Sequence, residues 1–176
     1  MKKTIFMLCL VILFLGCVSS FDSCYSKLES IYKKYNLKGS FAPLDTGAIR
    51  LYEADLRALK KELDKINSNE AKALVLLIEA KINLAEMQKN LLYSYQQHRV
   101  YSEYTSCGVQ FKEAQEAVKN ALKNAESALN KIKLLKNTFP NFMKKIEKKE
   151  GDLQNIIATQ VKNLNNIDQQ LKEICE

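Results

Sequence analysis

From Ile49 onward the apolar residues step by three and four without a miss: Ile49, Tyr52, Leu56, Leu59, Leu63 and Ile66. At 3.6 residues per turn that spacing puts all six on one face of a helix, and Glu53, Lys60, Lys61, Glu62, Asp64 and Lys65 fill the other. A helix with one apolar side must bury it against another element, and the same period returns in three later segments. Five glycines and two prolines among 176 residues leave little material for the turns of an all-β fold. The expected class is therefore all-α: an elongated antiparallel helical bundle, or coiled-coil hairpins, of four long helices plus a short N-terminal helix.

The short helix is expected over 21–37, where Tyr25, Leu28, Tyr32 and Tyr35 share a face. Glycine, serine and proline then gather in 36–44, which reads as the longest loop, with Phe41 and Leu44 tucked against the bundle. Asp45 or Thr46 can cap the second helix, and Asn67 with Glu70 has the form of a capping box for the third. That third helix, 69–104, carries a broad apolar set from Leu74 to Leu92, which requires two neighbours instead of one. A fourth, ending near 136, spaces Phe111, Ala114, Val118, Ala121, Ala125, Ala128, Ile132 and Leu135 as a heptad whose alanines admit a close partner. The fifth follows Pro140 and runs to 174 in one piece, with its stripe interrupted at Lys149, Gln160 and Asn163. Helices of some 35 residues are about 52 Å long, too long for a 34-residue hairpin repeat. Short connections make successive helices antiparallel.

The first residues have a different character. Lys2 and Lys3 precede an apolar run from Ile5 to Leu15, the length of a signal-peptide core. A spanning helix needs about 20 apolar residues, and Thr4 to Phe21 is eighteen at most. The run closes on Phe14-Leu15-Gly16-Cys17-Val18-Ser19-Ser20. Gly16-Cys17 resembles the lipobox of prokaryotic membrane lipoproteins, although Phe14 stands where that pattern has an aliphatic residue. The resemblance covers only this leader, and implies that Cys17 is diacylated and becomes the N-terminus, with two acyl chains holding the protein on the membrane. Cleavage after Ser20, which would release a secreted chain, and retention as an uncleaved anchor are the other two readings. All three place the rest of the chain outside the cytoplasm, on the extracytoplasmic face of the cell membrane if it stays anchored. The domain plan is thus a signal peptide over 1–16, a tether, short helix and loop over 17–44, and the bundle over 45–176.

Removing 1–16 takes two lysines and no acid, so the net charge falls from +7 to +5. Cysteines at 24, 107 and 175 have no close spacing of the metal-binding kind. An oxidising exterior favours one disulfide; Cys107 with Cys175, at the same end of an up-down bundle, is one pairing, and Cys24 can substitute for either.

Catalysis is not expected. One histidine and no tryptophan leave most metal and histidine chemistry short of parts, and no phosphate loop, nucleophile elbow or zinc-protease motif is present. Glu79 and Glu86 are seven apart, but a carboxylate-bridged metal site also needs a second histidine; no metal or cofactor is expected. Two surface features remain. Tyr95, His98 and Tyr101, near the end of the third helix, form an aromatic cluster able to stack a ligand. Seven lysines between 131 and 149 face only Glu147, and Lys144, Lys145, Lys148 and Lys149 among them form a basic tip for anionic headgroups, a polyanion or an acidic envelope protein. Without arginine and interleaved aromatics, the tip does not fit nucleic acid. The expected function is a membrane-anchored structural or protein-interaction module, which meets a partner or a second copy through the alanine-rich face of helix four and the basic tip. The alternative is an extracytoplasmic solute- or ligand-binding protein using the Tyr/His cluster.

Overall fold

The computed structural model describes residues 21–37, 42–43, 45–101 and 108–173, the side chains of 98–101, 109 and 110 excepted. Cys17, Cys107, Cys175, Phe41 and Leu44 lie outside the described residues. The protein is all-helical, with no strand among the described residues. Its helices are α1 (Phe21–Lys34), α2 (Thr46–Leu63), α3 (Asn69–Tyr101), α4 (Val109–Thr138), α5 (Pro140–Glu150) and α6 (Leu153–Glu173). None of them is long and apolar enough to cross a membrane.

Local chemistry sets most of the boundaries. α1 ends at Asn36, whose positive φ of 51° lets its N–H reach the Lys33 carbonyl and that of Leu37 reach Tyr32, a Schellman stop. Asp45 caps α2, with Oδ1 accepting from the Ala48 N–H at 2.8 Å. For α3 the capping oxygen is that of Ser68, which accepts from Ala71 at 3.1 Å. Asn67 stands one residue too early, because the side chain of the residue directly before the helix is the one that reaches the third amide.

The largest difference from expectation is the fifth helix, which is two. Gly151 takes φ 79°, a left-handed conformation that side chains resist, and stops α5 with its N–H on the Glu147 carbonyl. Asp152 then starts α6, its Oδ1 accepting from the Asn155 N–H at 3.1 Å. A helix stop followed at once by a helix start outweighs an apolar stripe that continues across both.

Around α3 the packing is layered. α2 and α4 flank it, α1 and α5 also touch it, and α6 packs on α4. Side-chain pairs show the directions: the ion pairs Arg57–Glu86 and Lys60–Glu79 run α2 and α3 antiparallel, and the Glu79–Lys131 ion pair with the hydrogen bond from the Tyr93 hydroxyl to Glu113 does the same for α3 and α4. α1 lies antiparallel to α2 through Lys27–Glu62 and Lys34–Asp55. The short N-terminal helix is thus part of the core: Phe21, Cys24, Tyr25 and Leu28 are buried in the same cluster as Ile49, Leu77 and Ile146.

The broad apolar set of α3 has the reason that the spacing implied: the helix is covered from several sides and buries Leu74, Leu77, Ile78, Leu84 and Met87. In α4 the heptad is the buried line, from Ala114 through Ala121, Ala125 and Ala128 to Leu135. Ala121, Ala125 and Ala128 are fully buried, and the contact of α4 with α3 is the most extensive helix–helix contact of the fold. That face is consumed inside the molecule, so it is not the partner surface expected of it.

Candidate functional site

The interior holds charge as well as hydrocarbon. Lys81 falls on the buried side of α3, in register with Leu77, Ile78, Leu84 and Ala85. Its ammonium pairs with Glu150, the last residue of α5, and these side chains are only 8% and 9% exposed. Two hydroxyls from α1 also donate to Oε1 of Glu150, Tyr25 at 2.7 Å and Tyr32 at 3.1 Å, and the Lys81 ammonium lies 5.1 Å from the Tyr32 ring centroid. One carboxylate thus ties three helices together. Burial first, and then the Glu150 charge, pushes the Tyr25 and Tyr32 hydroxyls well above the usual phenol range, which keeps both as donors. Tyr52 of α2 is fully buried nearby; burial and then Glu150 raise it too, and its hydroxyl has no partner among the described residues.

A second group lies between α2 and α3. Glu53, assigned to the solvent side by the apolar spacing, is buried: Lys89 stands 3.8 Å from its Oε2, and Oε1 has no partner among the described residues. Lys89 also pairs with Glu86, which Arg57 approaches at 3.9 Å. Burial raises the Glu53 pKa, the neighbouring Glu86 carboxylate raises it further, and Lys89 opposes both. Glu79, one of the two carboxylates seven apart on this helix, is held between Lys60 at 3.4 Å and Lys131 at 2.6 Å. No group of three metal-capable side chains occurs among the described residues.

The residues singled out from the sequence fall in different places. Tyr95 is 66% exposed on α3; His98 and Tyr101 follow on the same helix, but their side chains lie outside those described. The disulfide candidates Cys107 and Cys175 are likewise outside, and Cys24 lies on the buried face of α1. Of the four candidate lysines, Lys149 leans onto α1: it meets Glu29 at 3.0 Å and covers the Tyr25 ring at 4.7 Å. Lys145 is exposed and stands over Phe21 and Phe142, while Lys144 and Lys148 are exposed without an ion pair among the described residues. Lys144, Lys145 and Lys148 therefore share one exposed side of α5. An open groove of about 660 Å³ lies at the α2–α3 turn, lined by Leu63, Ile66, Val75, Leu76 and Phe139 with charged residues at its edge.

Sequence reasoning missed the Lys81–Glu150 centre, although half of it was visible. Lys81 interrupts an apolar face at 74, 77, 78, 84 and 85, and a charge there needs a buried partner. Nothing local marks Glu150 as that partner. No protein-family model matches the chain, and no curated protein or solved structure matches it.

Proposed function

We propose that this protein is a membrane-anchored lipoprotein of a prokaryotic cell envelope, acylated at Cys17, whose extracytoplasmic body is an elongated bundle of antiparallel helical hairpins acting as a non-catalytic structural or protein-interaction module. The observation that carries the reading is the leader, in which two lysines and an apolar run end on Gly16-Cys17, four residues ahead of α1. The absence of catalysis is supported by where the buried charges lie. Lys81 with Glu150 and Glu53 with Lys89 are each engaged by an opposite charge from a neighbouring helix, so their chemistry goes into holding helices together. Exposed surface is what remains for a partner.

Intact-mass spectrometry of the native protein from its membrane fraction tests this reading. The expected species begins at Cys17 and carries two acyl chains. A chain that begins at Phe21 or Met1 without lipid would refute the anchor, and with it the membrane-presented module.

A further inference from the structure

In α5 the helical period sorts the charges of a short sequence, Lys144-Lys145-Ile146-Glu147-Lys148-Lys149-Glu150. Met143 and Ile146 point into the core, and both acids are turned towards neighbours, Glu150 to Lys81 and Glu147 to Lys136 at 4.0 Å. The opposite side presents Asn141, Lys144, Lys145 and Lys148, all exposed. No acid of α5 is left on that side, and Lys133 of α4 is exposed as well.

This side has a fixed relation to the start of the folded chain. Phe21, the first residue of α1, stacks on Phe142 at 5.4 Å between centroids, and the Lys145 ammonium is 5.4 Å from the Phe21 ring centroid. Phe21 is four residue steps from Cys17, a reach of at most about 14 Å when fully extended. Whatever holds Cys17 in a bilayer therefore brings the start of α1, and α5 beside it, to the membrane surface. An uncleaved leader has the same consequence. Asp22 is the one acid that the first turn of α1 adds there.

We infer that the outward side of α5, formed by Lys144, Lys145 and Lys148, lies against the anionic headgroups of the membrane that holds the N-terminus. The inference rests on the anchored reading above and assigns a partner to the basic surface. It makes the body lie down on the membrane along α5 instead of swinging freely on its tether. Each lysine at an anionic surface contributes about a fivefold factor in partitioning, so three give about 100-fold, screened by salt.

Amine acylation read by mass spectrometry tests it on the full chain, reconstituted in phosphatidylcholine vesicles with and without about one third phosphatidylglycerol. Attraction of this size should slow Lys144 and Lys148 about fivefold on the anionic vesicles. High salt should restore the rate, and Lys112 and Lys162 should react alike on both. Replacement of all three by glutamine should abolish any preference of the chain for anionic vesicles. Equal rates at Lys144 and Lys148 on both vesicle types overturn the inference. Flotation with neutral vesicles reports the anchor separately: if it fails while the anionic protection persists, the lysine surface stands and the anchored reading falls. If the chain floats with neither vesicle, both fall.

Discussion

The two ends of α3 and α4 are built differently. At one, α1 and α5 lie over the hairpin, and the covered residues of α3 are Leu74, Leu77, Ile78 and Lys81, with Lys81 answered by a carboxylate from another helix. Beyond Gly151, α6 rides on α4. Its buried line is Leu153, Ile157 and Leu164, whereas Ile156 and Ile167 are each 41% exposed. Asp168 sits in that line with Lys172 at 2.6 Å from Oδ2 and no partner for Oδ1 among the described residues. A helix covered on several sides can hold an ion pair out of water because its neighbours supply the counter-charge and hydrogen bonds to it. One with a single neighbour is stabilised by a single row of side chains.

That contrast is broken most directly at Glu150. Glu150→Ala leaves Lys81 buried without a counter-charge and removes the acceptor of two tyrosines, so urea unfolding should show a loss of about 3–5 kcal/mol. Replacing both partners, Lys81→Met with Glu150→Leu, should recover much of it, because the uncompensated charge is the dominant penalty. In the thinner region Ile157→Ala should cost about 2 kcal/mol, at the low end for a buried isoleucine, since α6 can shift on α4 to close the gap. Its neighbour Ile156→Ala should change stability by less than about 0.5 kcal/mol. If the two α6 substitutions cost the same, the single-row description of that helix fails.

The carboxylate between α2 and α3 gives a pH test. Because burial and Glu86 raise the Glu53 pKa, the neutral form is favoured by folding. Its contribution is complete below the unfolded value of about 4.3 and is lost as pH rises through the higher folded value. Glu53→Gln should therefore stabilise the protein at neutral pH, on the order of 1 kcal/mol. The advantage should shrink as the pH falls towards the unfolded value, and thermal unfolding across that range measures it. An advantage that grows on acidification would reverse the sign assigned to Glu53.

Much of the fold could be read from residue spacing. The rows at 49–63 and 114–135 are the buried rows, and the breadth of the third helix announced its several neighbours. Spacing failed where a local signal overrode it, at Gly151-Asp152, and where a long-range partner decided burial, at Glu53. The candidate surface was legible as a count of lysines. Its orientation was not, because Glu29, which draws Lys149 onto α1, is 120 residues away in sequence. The Tyr95 cluster and the cysteine pairings are expectations that the described residues leave where they were.

Amide hydrogen exchange on the full chain measures the difference between the two regions most directly, residue by residue, in the native state. The account predicts that α3 from Ala71 to Met87 exchanges only through global unfolding, that α6 opens at a lower free energy, and that Glu150→Ala lowers protection in α1 and α5 before α6 changes. Equal protection of α6 and α3, or a Glu150→Ala variant whose α1 stays as protected as in the parent, would contradict it.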